Sequence, residues 1–109
     1  MKRIILLAAV IGFTAAMSAS AADAKANFDD QCAKCHGKDG KGDTKAGQML
    51  KAPDFTDAKV QASFTDEKAF KAVKEGLKDS EGRMRMKPVE GLSDEEIKAL
   101  VKYVRSFKK

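Results

Sequence analysis

The sequence predicts an all-α fold with long ordered loops, and three observations lead there. Apolar residues recur at helical spacing in three separated segments, two of these segments carry capping residues at their ends, and no stretch alternates apolar with polar residues as a half-buried strand would.

The first residues are set aside as a transport signal. In "MKRIILLAAVIGFTAAMSASAADA", Lys2 and Arg3 form a charged start, and Ile4 to Phe13 form an apolar run too short to span a bilayer. Ala19-Ser20-Ala21 reads as a small-x-small cleavage site, so residues 1–21 are expected to be a cleaved signal peptide and 22–109 a single domain. The expected location is the periplasm, without stable membrane insertion after processing.

Within the domain, the first helix is predicted from Asp23 to Cys35, where Ala24, Phe28 and Cys32 recur every four residues. The segment "GKDGKGDTKAGQMLKAPDFTD" is rich in glycine and polar residues and reads as an ordered loop with one helical turn near Gly47 to Lys51. A middle helix runs from Asp66 to Glu75, with Thr65 as its N-cap, two acids in its first turn and Gly76 as its stop. The last helix is the most clearly marked. Ser93 and Glu96 form a capping box, Leu92 and Ile97 a hydrophobic staple, and Ile97, Leu100, Val101 and Val104 the buried stripe. No segment reads as a strand.

A domain of this size is marginal on an apolar core alone. Five phenylalanines, one tyrosine and no tryptophan remain after processing. That deficit points to a bulky apolar cofactor in the middle. Removing Lys2 and Arg3 lowers the net charge from +5 to about +3, and neither a long basic run nor an aromatic stacking platform accompanies the lysines, which excludes nucleic acid as a partner.

Both cysteines and the single histidine of the chain lie in "QCAKCHG". On a helix, positions three and four apart share a face, so Cys32, Cys35 and His36 can address one object beside the helix end. C-x-x-C-H is the attachment signature of haem c: two thiols add across vinyl groups as thioethers, and the next residue offers its imidazole to the iron. A disulfide between Cys32 and Cys35 would close too short a loop to stabilise much and would leave His36 without a role. A thioredoxin-like pair needs a strand–helix setting, and structural zinc needs a fourth ligand. Bis-histidine ligation is excluded by the single histidine, which leaves methionine, lysine or an open site opposite His36. The far ring nitrogen of His36 needs an acceptor, and a backbone carbonyl near Pro53 is the expected one.

With these residues the chain resembles the small bacterial class I cytochromes c over essentially the whole domain. "FDDQCAKCHGKDGKGD" is similar to the family's first helix, haem motif and glycine turn, and "GLSDEEIKALVKYVRSF" to its last helix. The resemblance implies the cytochrome c fold: three to four short helices and ordered loops wrapped around one haem, with the first and last helices crossing near Phe28 and Tyr103. It also implies a sixth ligand in the loop "GRMRMKPVEGLSDEE", close before a proline. Met86, two residues ahead of Pro88, is the expected ligand. Met84 points to the same side of an extended segment but is displaced by roughly 6.6–7 Å, and is expected as an apolar contact at the haem rim. Met49 and Leu50 are expected to pack in the loop around the haem.

The implied function is a soluble one-electron carrier and not an enzyme, a monomer serving larger redox proteins. Lys34, Lys38, Lys41, Lys45, Lys51, Arg83, Arg85 and Lys87 flank the haem-binding segments and as a group suit partners with acidic docking surfaces. Two other readings stay open at this level: a haem subunit docked on a larger oxidoreductase, and a peroxidase or gas-binding haem protein with a labile methionine. The latter would want a distal acid–base group, and no histidine is left to serve.

Overall fold

The computed structural model describes residues 21–109. The signal-peptide reading falls on residues 1–20, outside that range, and on Ala21, which opens the first helix.

The first helix predicted from the sequence is divided into α1 (Ala21–Gln31) and α2 (Ala33–His36). Cys32 stands at the break with φ −120° and ψ −32°. The hydrogen bonds nonetheless run on through it. Its amide donates to the Phe28 carbonyl at 2.8 Å, and its carbonyl accepts from the amides of Cys35 at 3.2 Å and His36 at 3.0 Å. The chain therefore bends at the first cysteine without leaving an unsatisfied backbone group. Gly37, with φ 77°, ends α2.

The turn expected near Gly47 is a helix, α3 (Lys45–Leu50). The Thr44 hydroxyl starts it by accepting from the Gly47 amide at 2.9 Å. The same hydroxyl lies 2.7 Å from the Lys34 carbonyl and 2.9 Å from that of Cys35, so one side chain caps both the start of α3 and the end of α2. Gly47 permits this approach: a Cβ there would stand 2.1 Å from the Cys35 carbonyl oxygen.

A helix missed in the sequence, α4 (Ala58–Ala62), is capped by Asp57, whose carboxylate accepts from the Lys59 amide at 2.8 Å. Then α5 (Asp66–Glu75) and α6 (Asp94–Arg105) follow, both with their predicted caps. Thr65 accepts from Lys68, and Ser93 and Glu96 exchange the two bonds of the capping box, each 3.1 Å. The expectation of three to four short helices thus becomes six helical segments among the described residues, the extra ones being single turns too short to show periodicity.

The expectation of no strand is corrected. β1 (Leu77–Lys78) and β2 (Met84–Met86) form an antiparallel pair, with Leu77 opposite Met86 and Lys78 opposite Met84. One step along β1 matches two along β2, so Arg85 is the extra residue of a β-bulge. Strands of two and three residues are too short for alternation to register. Gly76 lets β2 return against α5: its φ is +80°, and a Cβ there would meet the Met86 carbonyl oxygen at 2.6 Å and Pro88 Cδ at 2.9 Å.

The core is small. Phe28, Cys32, Val73, Ile97 and Leu100 form one buried cluster that joins α1, α5 and α6. The first and last helices meet where the resemblance implied, with the Phe28 ring 5.3 Å from that of Tyr103 and 5.1 Å from that of Phe107. On the other side of α6, Arg105 donates to Asp66 Oδ1, Phe64 O, and both the side-chain and backbone oxygens of Gln61. The buried Gln61 amide in turn donates to the carbonyls of Phe55 at 2.7 Å and Val104 at 2.9 Å. The sequence offers Arg105 only as a cation suited to the C-terminal end of α6 and gives no sign of Gln61, because a partner more than forty positions away leaves no local pattern.

Candidate haem site

Cys32 stands at the N-cap of α2 and Cys35 and His36 lie on its single turn, three and four residues on, with both their amides bonded to the Cys32 carbonyl. Cys32 is buried, Cys35 is half-buried, and both thiols are free. Burial, with the neighbouring Cys35, pushes the Cys32 thiol up to about 11, so it is held as the neutral thiol. Burial pushes the His36 imidazole below its ordinary value, which keeps it neutral and its ring lone pair available.

The His36 ring stacks on Phe55 at 4.8 Å with an interplanar angle of 24°, and stands 6.4 Å from Phe28. Phe55 was not anticipated as part of the site. It is held by its amide's bond to the Gly40 carbonyl at 2.8 Å and by the bond from Gln61 to its own carbonyl. The acceptor expected for His36 near Pro53 is not found: Nδ1 is buried without a hydrogen-bond partner. The Pro53 carbonyl is turned instead against Gly42, where it would stand 2.8 Å from an added Cβ.

The hairpin brings up the methionines. Met86 is half-buried and packs against the cluster that holds Phe28 and Cys32, whereas Met84 is 43% exposed. Met49 and Leu50, expected to pack in the loop, are 74% and 40% exposed. Leu50 and Met84 both line a surface cleft of about 230 Å³, together with Asp79, Arg83 and Arg85. Apolar side chains from α3 and the hairpin thus border one opening. Among the described residues no group of three or more His, Cys, Asp or Glu side chains is placed to hold a metal ion.

These features suit an iron porphyrin. Two free thiols one turn apart, a half-buried imidazole kept neutral and a thioether against the same core are the donor set it needs.

Three carboxylates outside the site, together with His36, make the fold acid-sensitive. Hydrogen bonds from Thr56 to Asp54, from the Arg83 and Glu81 amides to Asp79, and from Ser93 to Glu96 hold those carboxyls below their ordinary values of 3.8, 3.8 and 4.5. Each contribution is fully present above the ordinary value and is lost as pH falls through the lowered native one. His36 has the same sign higher up, because below 6.5 the unfolded chain takes the proton more readily than the folded one. Unfolding midpoints in a buffer series are expected to decline on acidification from about 6.5, and more steeply in the carboxylate range. A midpoint that rises on acidification would contradict this.

The chain belongs to the cytochrome c family: the family model "Cytochrome c" matches residues 21–108. It is a small class I c-type cytochrome, a haem electron carrier of a family that typically transports electrons and does not catalyse substrate chemistry, and its cofactor is a covalently attached haem c with iron. Among solved structures it is similar to the KustC0563 c-type cytochrome, at 39% identity and a TM-score of 0.67, covering 79% of this chain and 98% of that one. It is also similar to a tyrosine-to-phenylalanine mutant of Kustc0563, at 40% identity and a TM-score of 0.65, covering 79% of this chain and 99% of that one. No curated protein matches the chain.

Proposed function

We propose that this chain is a soluble periplasmic carrier of single electrons whose haem is tethered by Cys32 and Cys35 and ligated by His36 and Met86. The observation that carries the ligand assignment is the packing of Met86, half-buried against the cluster that includes Cys32, while Met84 two residues away is turned out. The bound haem supplies a single iron that cycles between the ferric and ferrous states. His36 and Met86 would supply an imidazole and a neutral thioether to that iron, a pair that would favour the ferrous state and leave no ready site for oxygen or peroxide, which suits transfer over catalysis. No helix among the described residues is long and apolar enough to cross a membrane, in keeping with a carrier released after export.

The partner is proposed to be a larger redox protein with an acidic surface, reached by the lysines around the site. Arg83 and Arg85 contribute less than their sequence position suggests, because they pair with Asp79 and Glu81 within the hairpin.

The test is the far-red charge-transfer band of the ferric protein exported with a haem-attachment system. Met86→Ala is expected to abolish the band and Met84→Ala to retain it. The opposite outcome overturns the ligand assignment, and a wild-type protein without the band overturns His/Met ligation altogether.

A further inference from the structure

The turn between β1 and β2 is closed by a single carboxylate. Asp79 Oδ1 accepts from the amides of Glu81 and Arg83, both at 2.9 Å, and Oδ2 accepts from Arg83 Nε at 3.2 Å and pairs with Arg85 Nε at 3.5 Å. The Asp79 backbone completes the ring: its amide donates to the Arg83 carbonyl at 2.9 Å, and its carbonyl accepts from Gly82 at 3.0 Å. The side chain is only 15% exposed, although the guanidinium groups it holds are 70% and 40% exposed. Two backbone donors and two cations therefore converge on one nearly covered anion, an arrangement stronger than a surface ion pair.

Its position gives it a consequence beyond the turn. Arg85 is the extra residue of the bulge and stands between the two methionines. A short strand fixed at its middle side chain cannot rotate freely about its own axis, and a bulge is a place where such rotation re-aims neighbours. On the far side, Gly76 and the Val89 amide, which donates to the Val73 carbonyl at 2.8 Å, anchor the segment after Met86. The strand is thus held at both ends, with Asp79 at the upstream one.

We propose that Asp79 is a positioning residue for the axial methionine: by closing the turn and holding Arg85 it keeps Met86 against the core and Met84 outside, so that the iron retains its sixth ligand. This rests on the His/Met reading above.

The experiment measures imidazole binding to the ferric, haem-loaded protein, together with the far-red band, in wild type, Asp79→Ala, Asp79→Asn and Arg85→Ala. Imidazole enters only when the methionine segment opens. Hydrogen bonds to a charged group are worth enough that Asp79→Ala is expected to tighten imidazole binding by about ten-fold or more. Asp79→Asn keeps an acceptor for the two amides but presents an NH₂ to the guanidinium groups, so an intermediate gain is expected. Arg85→Ala should also tighten binding, and its effect should not add fully to that of Asp79→Asn. Ser93→Ala, which weakens the α6 cap without touching the hairpin, separates general loss of stability from this role. It is expected to lower the unfolding midpoint while leaving imidazole affinity within about two-fold. If Asp79→Asn and Arg85→Ala retain wild-type imidazole affinity in a protein that has the far-red band, the positioning role is overturned while His/Met ligation stands. If the wild type lacks the band, both fall.

Discussion

A Cys32→Ala/Cys35→Ala double variant is expected to carry no covalent haem and to lose most of its helical circular dichroism. The reason lies in how little core the polypeptide makes by itself. Its fully covered large side chains are Phe28, Ile97 and Leu100, with Ala24, Cys32, Phe55, Val73 and Val101 close behind. Three of the helices, α2, α3 and α4, have only four to six residues. Isolated helices shorter than about 12–15 residues are marginal in water, so these need packing to exist. A domain below about 70–80 residues seldom finds enough stabilisation in an apolar core without a staple, and one only slightly longer gains little margin. Tethering through two sulfurs makes the cofactor part of that core and keeps it there regardless of concentration. Mass spectrometry and far-UV dichroism of the exported variant check both halves of the expectation. A colourless double variant with wild-type helicity and a cooperative transition would show that the polypeptide folds without it.

Phe28→Ala is expected to cost about 3–5 kcal/mol, the range for removing a buried aromatic ring. The total stability of a domain is about 5–15 kcal/mol, so a loss of this size leaves the protein near its unfolding threshold. Phe28 is 0% exposed and touches both halves of the molecule, with Tyr103 and Phe107 from the α6 side and His36 from the site within 5.1–6.4 Å of its ring. The cavity cannot be closed by a simple shift, because α1 is held at its other contact by the buried Ala24 and α2 is tied to α3 through Thr44. Aromatic pairs of this geometry add about 0.5–1.5 kcal/mol beyond buried area, and Phe28→Leu, which retains much of the volume, should recover much of the loss but not that part. Denaturant titration of the haem-loaded variants measures the difference. A loss under about 1 kcal/mol for Phe28→Ala would mean that the α1–α6 crossing is not where the fold is held.

How much of this was legible in the sequence varies with how local each feature is. The capping box of Ser93 and Glu96 and the Thr65 and Gly76 ends of α5 involve partners three or four residues apart, and the structure has them as expected. The bend at Cys32 was missed because helical spacing persists across it even though the backbone dihedrals change. The hairpin and α4 were missed because two to five residues cannot establish a period. Phe55 against His36 comes from a loop nearly twenty residues downstream, held by Gly40 and Gln61, and no spacing rule points to it. Asp79 reads in the sequence as one more surface acid, and only the closed turn makes it a clamp.

The sequence by itself determined the helical class, the principal caps, and the pair of thiols with the adjoining imidazole, since attachment of a rigid cofactor demands ligands within one turn and such demands are written in consecutive residues. Only the tertiary structure decided which methionine lies against the core, which ring lies beside His36, and which carboxylate holds the hairpin shut. These depend on contacts between segments far apart in the chain. Their identity is set by the shape the packed helices leave, and that shape has no period to read.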